Sequence, residues 1–205
     1  ARCGAEPIPM GIAKDNAEAL RALMAQGLAA DILLVSGGVS AGDYDLVPKT
    51  LEKIGVECVF HKVCLKPGKP IWFGIFKRPA ASPTLVFGLP GNPVSALVCF
   101  ELFVRPTLKF VSGQSLEMQS GSHRMAKLVG SVKGAGDRPV YHPCNLKLFD
   151  NCLFVEALQW GGSADLLGFS RANGLLVLPK NCRDYRDGDY VQVIALGSPF
   201  HHESE

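Results

Sequence analysis

The sequence predicts an α/β domain built on a doubly wound, mostly parallel sheet, followed by a small all-β, barrel-like domain. In the first half, apolar runs of strand length alternate with helical patterns, which is typical of parallel strands joined by right-handed crossovers. In the second half, short strand-like runs are separated by Gly, Pro, Asn and Asp, as in sandwiches and barrels. A polar stretch between the halves marks the boundary.

That boundary stretch reads SGQSLEMQSGS and divides the chain into four segments. We predict the α/β domain over residues 1–111, a linker over 112–122, the β-barrel domain over 123–197 and a disordered tail over 198–205. The residues before the first strand look like the end of a helix. We therefore expect the chain to begin partway through a domain.

The first helices and strand follow from local patterns. Asp15 and Glu18 form a capping-box pair in front of apolar residues at helical spacing. The run DILLVS, residues 31–36, is continuously apolar over 32–35, which predicts a strand buried on both faces. A short helix is predicted over 46–54, because a proline lies in its first turn and a glycine just past its end.

Three more strands and a long helix complete the first half. The strands are predicted at 56–63, 70–76 and 84–88 from their apolar and aromatic content. The helix is predicted over 93–110, with Asn92 as its N-cap and a proline at its first position. In the second half, strands are predicted at 124–132, 151–158, 173–179 and 189–196.

Composition and charge argue against nucleic-acid-binding, zinc-binding and membrane-spanning proteins. The net charge is only +2 and no block of like charges occurs, so an ordinary solvated surface is favoured over a nucleic-acid-binding face. The seven cysteines are odd in number and lack zinc-type CxxC spacing, which indicates reduced thiols in a cytoplasmic protein. No apolar run approaches the roughly 18 residues of a membrane helix, and no signal-peptide pattern opens the chain.

The loop SGGVSAGDYD follows the 31–36 strand and leads into a helix. Its glycines let backbone approach a ligand closely, and its serines add hydroxyl groups. The candidate binding residues here are Ser36, Gly37, Gly38, Val39, Ser40, Gly42 and Asp43. Asp43 and Asp45 would place negative charges beside a bound anion. That arrangement is explained if a divalent cation lies between these acids and the anion. The alternatives are a tight structural turn and, for Asp45, a helix cap.

The loop LKPGKP carries two lysines on either side of a Pro-Gly turn. We predict that the turn aims Lys66 and Lys69 at one region, as a cationic pair for a phosphate-like or oxyanion ligand, with Pro67 and Gly68 shaping it. The alternative is a surface hairpin whose lysines are solvated.

The loop GLPGNPVSA is more rigid than a simple turn requires. Its prolines fix the backbone before a ligand arrives, which lowers the entropy cost of binding. The candidate binding residues are Gly88, Pro90, Gly91, Asn92, Pro93 and Ser95. All three loops follow strands, so we expect them to converge at one edge of the sheet, where ligands of doubly wound folds lie.

In this order, the three loops resemble the molybdenum-insertion proteins of the MoeA and gephyrin E-domain family. The downstream stretch GGSADLLGFSRANGLLVLP is similar to the last domain of that family, so the resemblance covers nearly the whole chain. GGVS and GLPGNP are also similar to molybdopterin adenylyltransferases and CinA-type proteins. KPGKP and the β domain favour molybdenum insertion.

The resemblance implies a molybdopterin-binding fold and a defined reaction. Such proteins bind adenylylated molybdopterin and, with Mg²⁺ and molybdate, hydrolyse its phosphoanhydride to release AMP and molybdenum cofactor. It implies a homodimer served by a molybdopterin adenylyltransferase. Asp45 would coordinate Mg²⁺ or orient the pterin, and Lys66 and Lys69 would meet molybdate or phosphate oxygens. The candidates in the last domain that would face the cleft are Ser163, Ser170 and Arg171.

The chain also departs from the family, because the family's first two domains and the opening strand of the third have no counterpart in it. We therefore expect little turnover from the chain alone. Two alternatives stay open: a molybdopterin adenylyltransferase, and a gephyrin-like scaffold that anchors receptors. No nucleophilic triad is suggested, and His61 and His142 are interpreted as packed or surface residues.

Overall fold

A computed structural model describes residues 3–14, 16–39, 45–114 and 123–196. These residues form two compact units that are not consecutive in the chain. The first contains residues 5–14, 16–39, 45–63 and 68–104; the second contains 3–4, 64–67, 105–114 and 123–196. The predicted cap Asp15, most of the predicted linker and the predicted tail lie outside the described residues.

The first unit is an α/β unit. Its elements are α1 (Ala17–Gly27), β1 (Ile32–Ser36), α2 (Leu46–Lys53), β2 (Glu57–His61), β3 (Trp72–Phe76), β4 (Thr84–Leu89), α3 (Pro93–Cys99) and a π-helical turn (Phe100–Val104). Apolar side chains of α1, α2 and the sheet form its core, with Met24, Leu28, Leu33, Val47, Leu51, Trp72 and Val86 among the buried members.

Side-chain caps fix where two helices begin. Asn16 caps α1, its Oδ1 accepting from the Ala19 amide at 2.8 Å, so the cap lies one position later than predicted. Asn92 caps α3 as predicted, its Oδ1 accepting from the Ser95 amide at 3.0 Å. Each cap satisfies an amide that the helix itself leaves unpaired.

The sheet has strand order β1-β4-β3-β2 and is mixed. β1 and β4 pair in parallel, whereas β3 is antiparallel to both β4 and β2. β2 and β3 form a hairpin, closed by Lys62 N–H donating to Ile71 and Val63 N–H donating to Lys69. Its connection is too short for the crossover that a parallel pair requires. Three of the four strands therefore run in one direction and β3 runs against them.

β1 is an outer strand of this sheet, and the prediction that it is buried on both faces is wrong. Leu33 is 7% exposed because it packs against the helical layer, but Leu34 on the opposite face is 43% exposed. Its neighbour in β4, Phe87, is 2% exposed. An outer strand has a neighbour on one side only, so its second face is less covered than that of an inner strand.

The predicted 93–110 helix is interrupted. A π-helical turn (Phe100–Val104) separates α3 from α4 (Arg105–Val111), which belongs to the second unit. Pro106 is the second residue after this turn, and a proline has no N–H for the helical hydrogen bond. A widened turn is a known way for a helix to accommodate such a break.

The second unit contains a closed five-stranded barrel in the order β5-β7-β6-β8-β9. Its elements are β5 (His123–Val129), β6 (Val140–Phe149), β7 (Cys152–Ala157), the short α5 (Leu166–Ser170), β8 (Gly174–Leu178) and β9 (Tyr190–Ala195). Only β5 and β7 pair in parallel. Apolar side chains fill it, including Ala126, Leu128, Cys144, Leu146, Val155, Leu176, Leu178, Val191 and Val193.

The sequence did not predict β6, the longest strand, because Pro143 lies within it. Inside a sheet a proline removes a ladder hydrogen bond, which argues against a strand. Here the Pro143 carbonyl accepts from Leu158 N–H, one residue beyond the last β6–β7 pair, Cys144 with Ala157. The nitrogen of Pro143 therefore faces the β7 side, away from β8. The missing donor therefore costs the β6–β8 ladder nothing.

The seven cysteines are all free thiols. Within the described ranges, none of the helices is long and apolar enough to span a bilayer.

Candidate functional site

The three predicted loops begin at one edge of the α/β sheet. Register places Val35, Gly88, Trp72 and His61 in one row across the four strands, at the carboxyl ends of β1, β4 and β2. Because those three strands run in the same direction, the loops that follow them leave from the same side. This is the edge at which open α/β sheets bind ligands.

The loops after β1 and β4 touch through their backbones. Gly37 N–H donates to the Leu89 carbonyl at 3.0 Å, and a Cβ on Gly91 would lie 3.4 Å from the Gly37 Cα. Gly37 and Gly38 have φ of +92° and +66°, a region that favours glycine. Two glycine-rich backbones thus meet with no side chain between them, which leaves room for a ligand to approach.

Val39 anchors the first loop. Its side chain is 1% exposed, and a Cβ on Gly88 would lie 2.6 Å from Val39 Cγ1 and 3.1 Å from Trp72 Cβ. His61 Nε2–H donates to the Val39 carbonyl at 3.0 Å. The Val39 side chain therefore serves packing, and Gly88 leaves it the space it needs. Ser36 at the end of β1 is exposed.

Asp45 stands at the N-cap position of α2 without acting as a cap. Its backbone is extended, with φ −75° and ψ 100°, and its side chain makes no capping hydrogen bond. The alternative reading of Asp45 as only a helix cap is therefore not supported. Ser40, Gly42 and Asp43 lie outside the described residues.

The loop after β4 is partly buried. Pro90 and Ser95 are buried, whereas Gly91 and Pro93 are exposed. Asn92 uses its side-chain oxygen as the α3 cap. Gly91 and Pro93 are thus the members of this loop that solvent, or a ligand, can reach.

The KPGKP loop is divided between the units. In the α/β unit, the Gly68 carbonyl accepts from the Cys99 thiol at 3.3 Å, and Lys69 is exposed. Burial raises the pKa of Cys99 to about 12, so the thiol keeps the proton that it donates. Gly68 has φ of +115°, a conformation that suits glycine.

In the second unit, the main chain of Lys66 is bonded to the start of β6. Lys66 N–H donates to the Pro139 carbonyl at 2.9 Å, and Tyr141 N–H donates to the Lys66 carbonyl at 2.8 Å. Lys66 is exposed and Pro67 is buried. Whether Lys66 and Lys69 converge, as the sequence predicts, stays a prediction.

Arg138 is a cation that the sequence analysis missed. Its Nε is buried and has no hydrogen-bond partner, although Asp137 Oδ1 lies 3.6 Å away. It directly precedes Pro139, whose carbonyl holds Lys66, so the same stretch of the second unit carries two cations. The signal in the sequence was an arginine between an aspartate and a proline, just before the strand that was not predicted.

Residues around α5 make several local hydrogen bonds. Asp165 caps α5, accepting from the amides of Gly168 at 2.8 Å and Gly161 at 3.0 Å. These bonds, that from Gly161 first, lower the pKa of the Asp165 carboxyl. Ser170 Oγ–H donates to the Leu167 carbonyl.

Arg171 lines a pocket of about 300 Å³ with Glu156, Leu158, Gln159 and Gly168. Ser163 is exposed and is not among the residues that line this pocket. The ligand-binding roles of Ser163, Ser170 and Arg171 stay predictions.

Two family models match the chain. Residues 1–109 match a probable molybdopterin binding domain, and residues 125–196 match the MoeA C-terminal region, domain IV. Together they account for both compact units.

Individual relatives agree with these matches. A gephyrin from Dictyostelium discoideum is 34% identical over 206 residues, covering 92% of this chain and 29% of that protein. A molybdopterin molybdenumtransferase from Nostoc is 35% identical over 200 residues, covering 94% of this chain and 44% of the enzyme.

A solved structure gives the same picture. The crystal structure of a molybdopterin biosynthesis MoeA protein from Pyrococcus horikoshii superposes with a TM-score of 0.71 at 29% identity, covering 95% of this chain and 45% of that one. The chain thus spans less than half the length of these relatives.

Proposed function

The chain belongs to the family of molybdopterin-binding proteins that carry a MoeA C-terminal region, and from that premise we propose that its full-length protein inserts molybdate into adenylylated molybdopterin. The reaction releases AMP and produces molybdenum cofactor. The observation that carries the proposal is the contact between the β1–α2 and β4–α3 loops, where Gly37 and Gly91 meet.

These loops suit a phosphate-bearing ligand. Gly38 and Gly91 are exposed and carry no side chains, so phosphate oxygens can approach the backbone there. Gly37, whose amide is bonded to Leu89, and Asn92, which caps α3, hold their parts of the two loops before any ligand binds, which lowers the entropy lost on binding. Ser36, at the start of the first loop, would add a hydroxyl donor.

Cationic side chains would supply positive charge for molybdate and the phosphoanhydride. Lys66 and Lys69 are both exposed, and Arg138 lies in the same unit as Lys66. The buried Nε of Arg138 lacks a partner, and an oxyanion would satisfy it. Positioning and charge neutralisation are the main requirements of attack at a phosphoanhydride.

Asp45 is the residue that would hold Mg²⁺. Within the described part of the chain, no three His, Cys, Asp or Glu side chains group together as a metal site. That is compatible with Mg²⁺, which is often bound through one or two carboxylates with water and substrate phosphates. Asp45 stands at the N-cap position of α2, where the loop after β1 ends, so a metal held by its carboxylate would lie beside phosphates bound by that loop. Bound there, Mg²⁺ would neutralise phosphate charge.

The finer features are proposed with it: a homodimer in the cytoplasm, supplied with adenylylated molybdopterin by a separate adenylyltransferase. An adenylyltransferase activity of this protein itself is less well supported. The second unit matches the C-terminal region of MoeA proteins, and the predicted adenylyltransferase likeness rested on the first- and third-loop motifs alone.

The test is AMP release by the full-length protein given adenylylated molybdopterin, Mg²⁺ and molybdate. We expect Asp45→Ala to lower the rate by at least about a hundredfold, because the charge that holds the metal and orients the phosphates is lost. Asp31→Ala is the matched control, since Asp31 lies at the opposite end of β1 and pairs with Arg78. Circular dichroism checks the fold. A wild-type rate in Asp45→Ala would remove Asp45 from the mechanism.

The same assay tests the lysines. Lys66→Ala and Lys69→Ala should each raise the molybdate concentration needed for half-maximal rate. Lys77→Ala, which breaks only an exposed pair with Glu57, should not. An unchanged molybdate titration in both variants would contradict their proposed role.

A further inference from the structure

The first residues of the β1–α2 loop, 37–39, cross the carboxyl edge of the α/β sheet. The loop starts at the end of β1, one outer strand, and its Val39 carbonyl is bonded to His61, the last residue of β2, the other outer strand. Between them lie the ends of β4 and β3, where Val39 packs close to Gly88 and Trp72. Val39, three residues after the end of β1, is therefore held by a side chain that is 22 residues away in sequence.

The contact shows which ring nitrogen of His61 carries a proton. A carbonyl oxygen only accepts hydrogen bonds, so Nε2 of His61 carries the proton. The bond is 3.0 Å long and partly buried. Both the neutral Nε2–H tautomer and the imidazolium can donate it, so the contact does not depend on the charge of the ring.

We propose that His61 is a positioning residue for the proposed reaction: through the Val39 carbonyl it holds residues 37–39, the first part of the β1–α2 loop, in place for the ligand. The proposal rests on the proposed function, but its physical core, that His61 orders this loop, stands apart from it. His61 contacts the loop backbone and is assigned no direct contact with substrate. A loop without this bond would have to be ordered by the ligand, which raises the ligand concentration needed.

The second unit offers a matched control. His142 Nε2–H donates to the Leu158 carbonyl at 2.8 Å and is also partly buried. It makes the same kind of bond but holds a segment of the second unit. Comparing variants of the two histidines therefore shows whether an effect is specific to the β1–α2 loop or follows from losing any bond of this kind.

The experiment compares His61→Leu, which removes the donor, with His61→Gln, whose amide nitrogen can still donate to the carbonyl. Both are made in the full-length protein with His142→Leu as control. Hydrogen–deuterium exchange reports order in residues 36–45, and AMP release gives KM for adenylylated molybdopterin and kcat. We expect His61→Leu to speed exchange in this loop and raise KM by about tenfold each, with a smaller change in kcat.

His61→Gln should restore both quantities to within about threefold of wild type, and His142→Leu should leave the loop unchanged. Wild-type exchange and KM in His61→Leu would overturn the proposal, as would equal effects of Leu and Gln, which would indicate packing only. If His61→Leu does not fold, His61→Met gives the same comparison. If the wild-type protein releases no AMP, the proposed function fails, while the exchange experiment still decides whether His61 orders the loop.

Discussion

The two units use their glycines for different purposes. In the open sheet of the α/β unit, Gly88 leaves room for the side chain of Val39, and Gly91 lets two loops touch. In the closed barrel, Gly174 leaves room for Leu146, and Gly134 lies against main-chain carbonyls. An open sheet has ends from which loops can form a binding edge, whereas in a barrel every strand is paired on both sides. Close packing brings two loops into contact in one unit and fills the closed barrel of the other.

The largest effect that separates the units is expected in alkali. Burial raises the pKa of Cys99 in the α/β unit and of Cys144 in the barrel from 9.0 to about 12. Unfolded thiols lose their protons first, so the free energy of unfolding is fully retained below pH 9 and falls as pH rises towards 12, by up to roughly 4 kcal/mol for each thiol.

Denaturant unfolding at pH 8 and 11 measures this loss. Cys99→Ala should reduce the pH dependence of the α/β unit, and Cys144→Ala that of the barrel. If neither substitution changes the pH dependence, the buried thiols do not govern alkaline stability.

Adding one methyl group to each unit sharpens the comparison. The Cβ of Gly134→Ala would overlap the carbonyls of Cys182 and Arg183, so we expect the barrel to lose about 3 kcal/mol or more. Gly88→Ala meets a side chain instead and should cost about 1–3 kcal/mol. Only Gly88→Ala should speed hydrogen exchange in the loop at Val39. Denaturant titration and exchange measure both; equal stability losses and an unchanged loop would contradict the comparison.

The smallest effect is expected in weak acid. Burial lowers the pKa of His142 below its ordinary 6.5, although its bond to Leu158 opposes the shift. The unfolded chain then binds the proton more readily, so stability is present above pH 6.5 and falls as pH decreases through the lowered pKa. Unfolding of the barrel at pH 7 and 5 should show this decline, and His142→Gln should flatten it. An identical decline in the variant would assign it to other groups.

Local signals in the sequence predicted the parts of the site that depend on backbone shape. Glycine and proline mark turns by their own conformational limits, so the three loops and the Asn92 cap were identified. The strand β3 itself was predicted, but its antiparallel direction was not, because pairing direction depends on how the KPGKP loop folds back on itself.

The remaining misses depend on contacts that are distant in sequence. Pro143 argued against β6, and only the end of β7 explains why it is tolerated there. The interpretation of His61 as packed or surface is not contradicted, but its bond to the Val39 carbonyl could not be predicted, because Val39 lies on another part of the chain. The orphaned nitrogen of Arg138 is likewise a property of folded surroundings.

The excursion of residues 64–67 into the second unit limits how the chain can be divided. A piece cut at the boundary before residue 123 would leave the Pro139 carbonyl and the Tyr141 amide without their bonds to Lys66. A single crossover between genes would therefore draw the two sides of these bonds from different parents. Recombination that carries residues 64–67 together with residues 139–141 keeps them in their parental pairing.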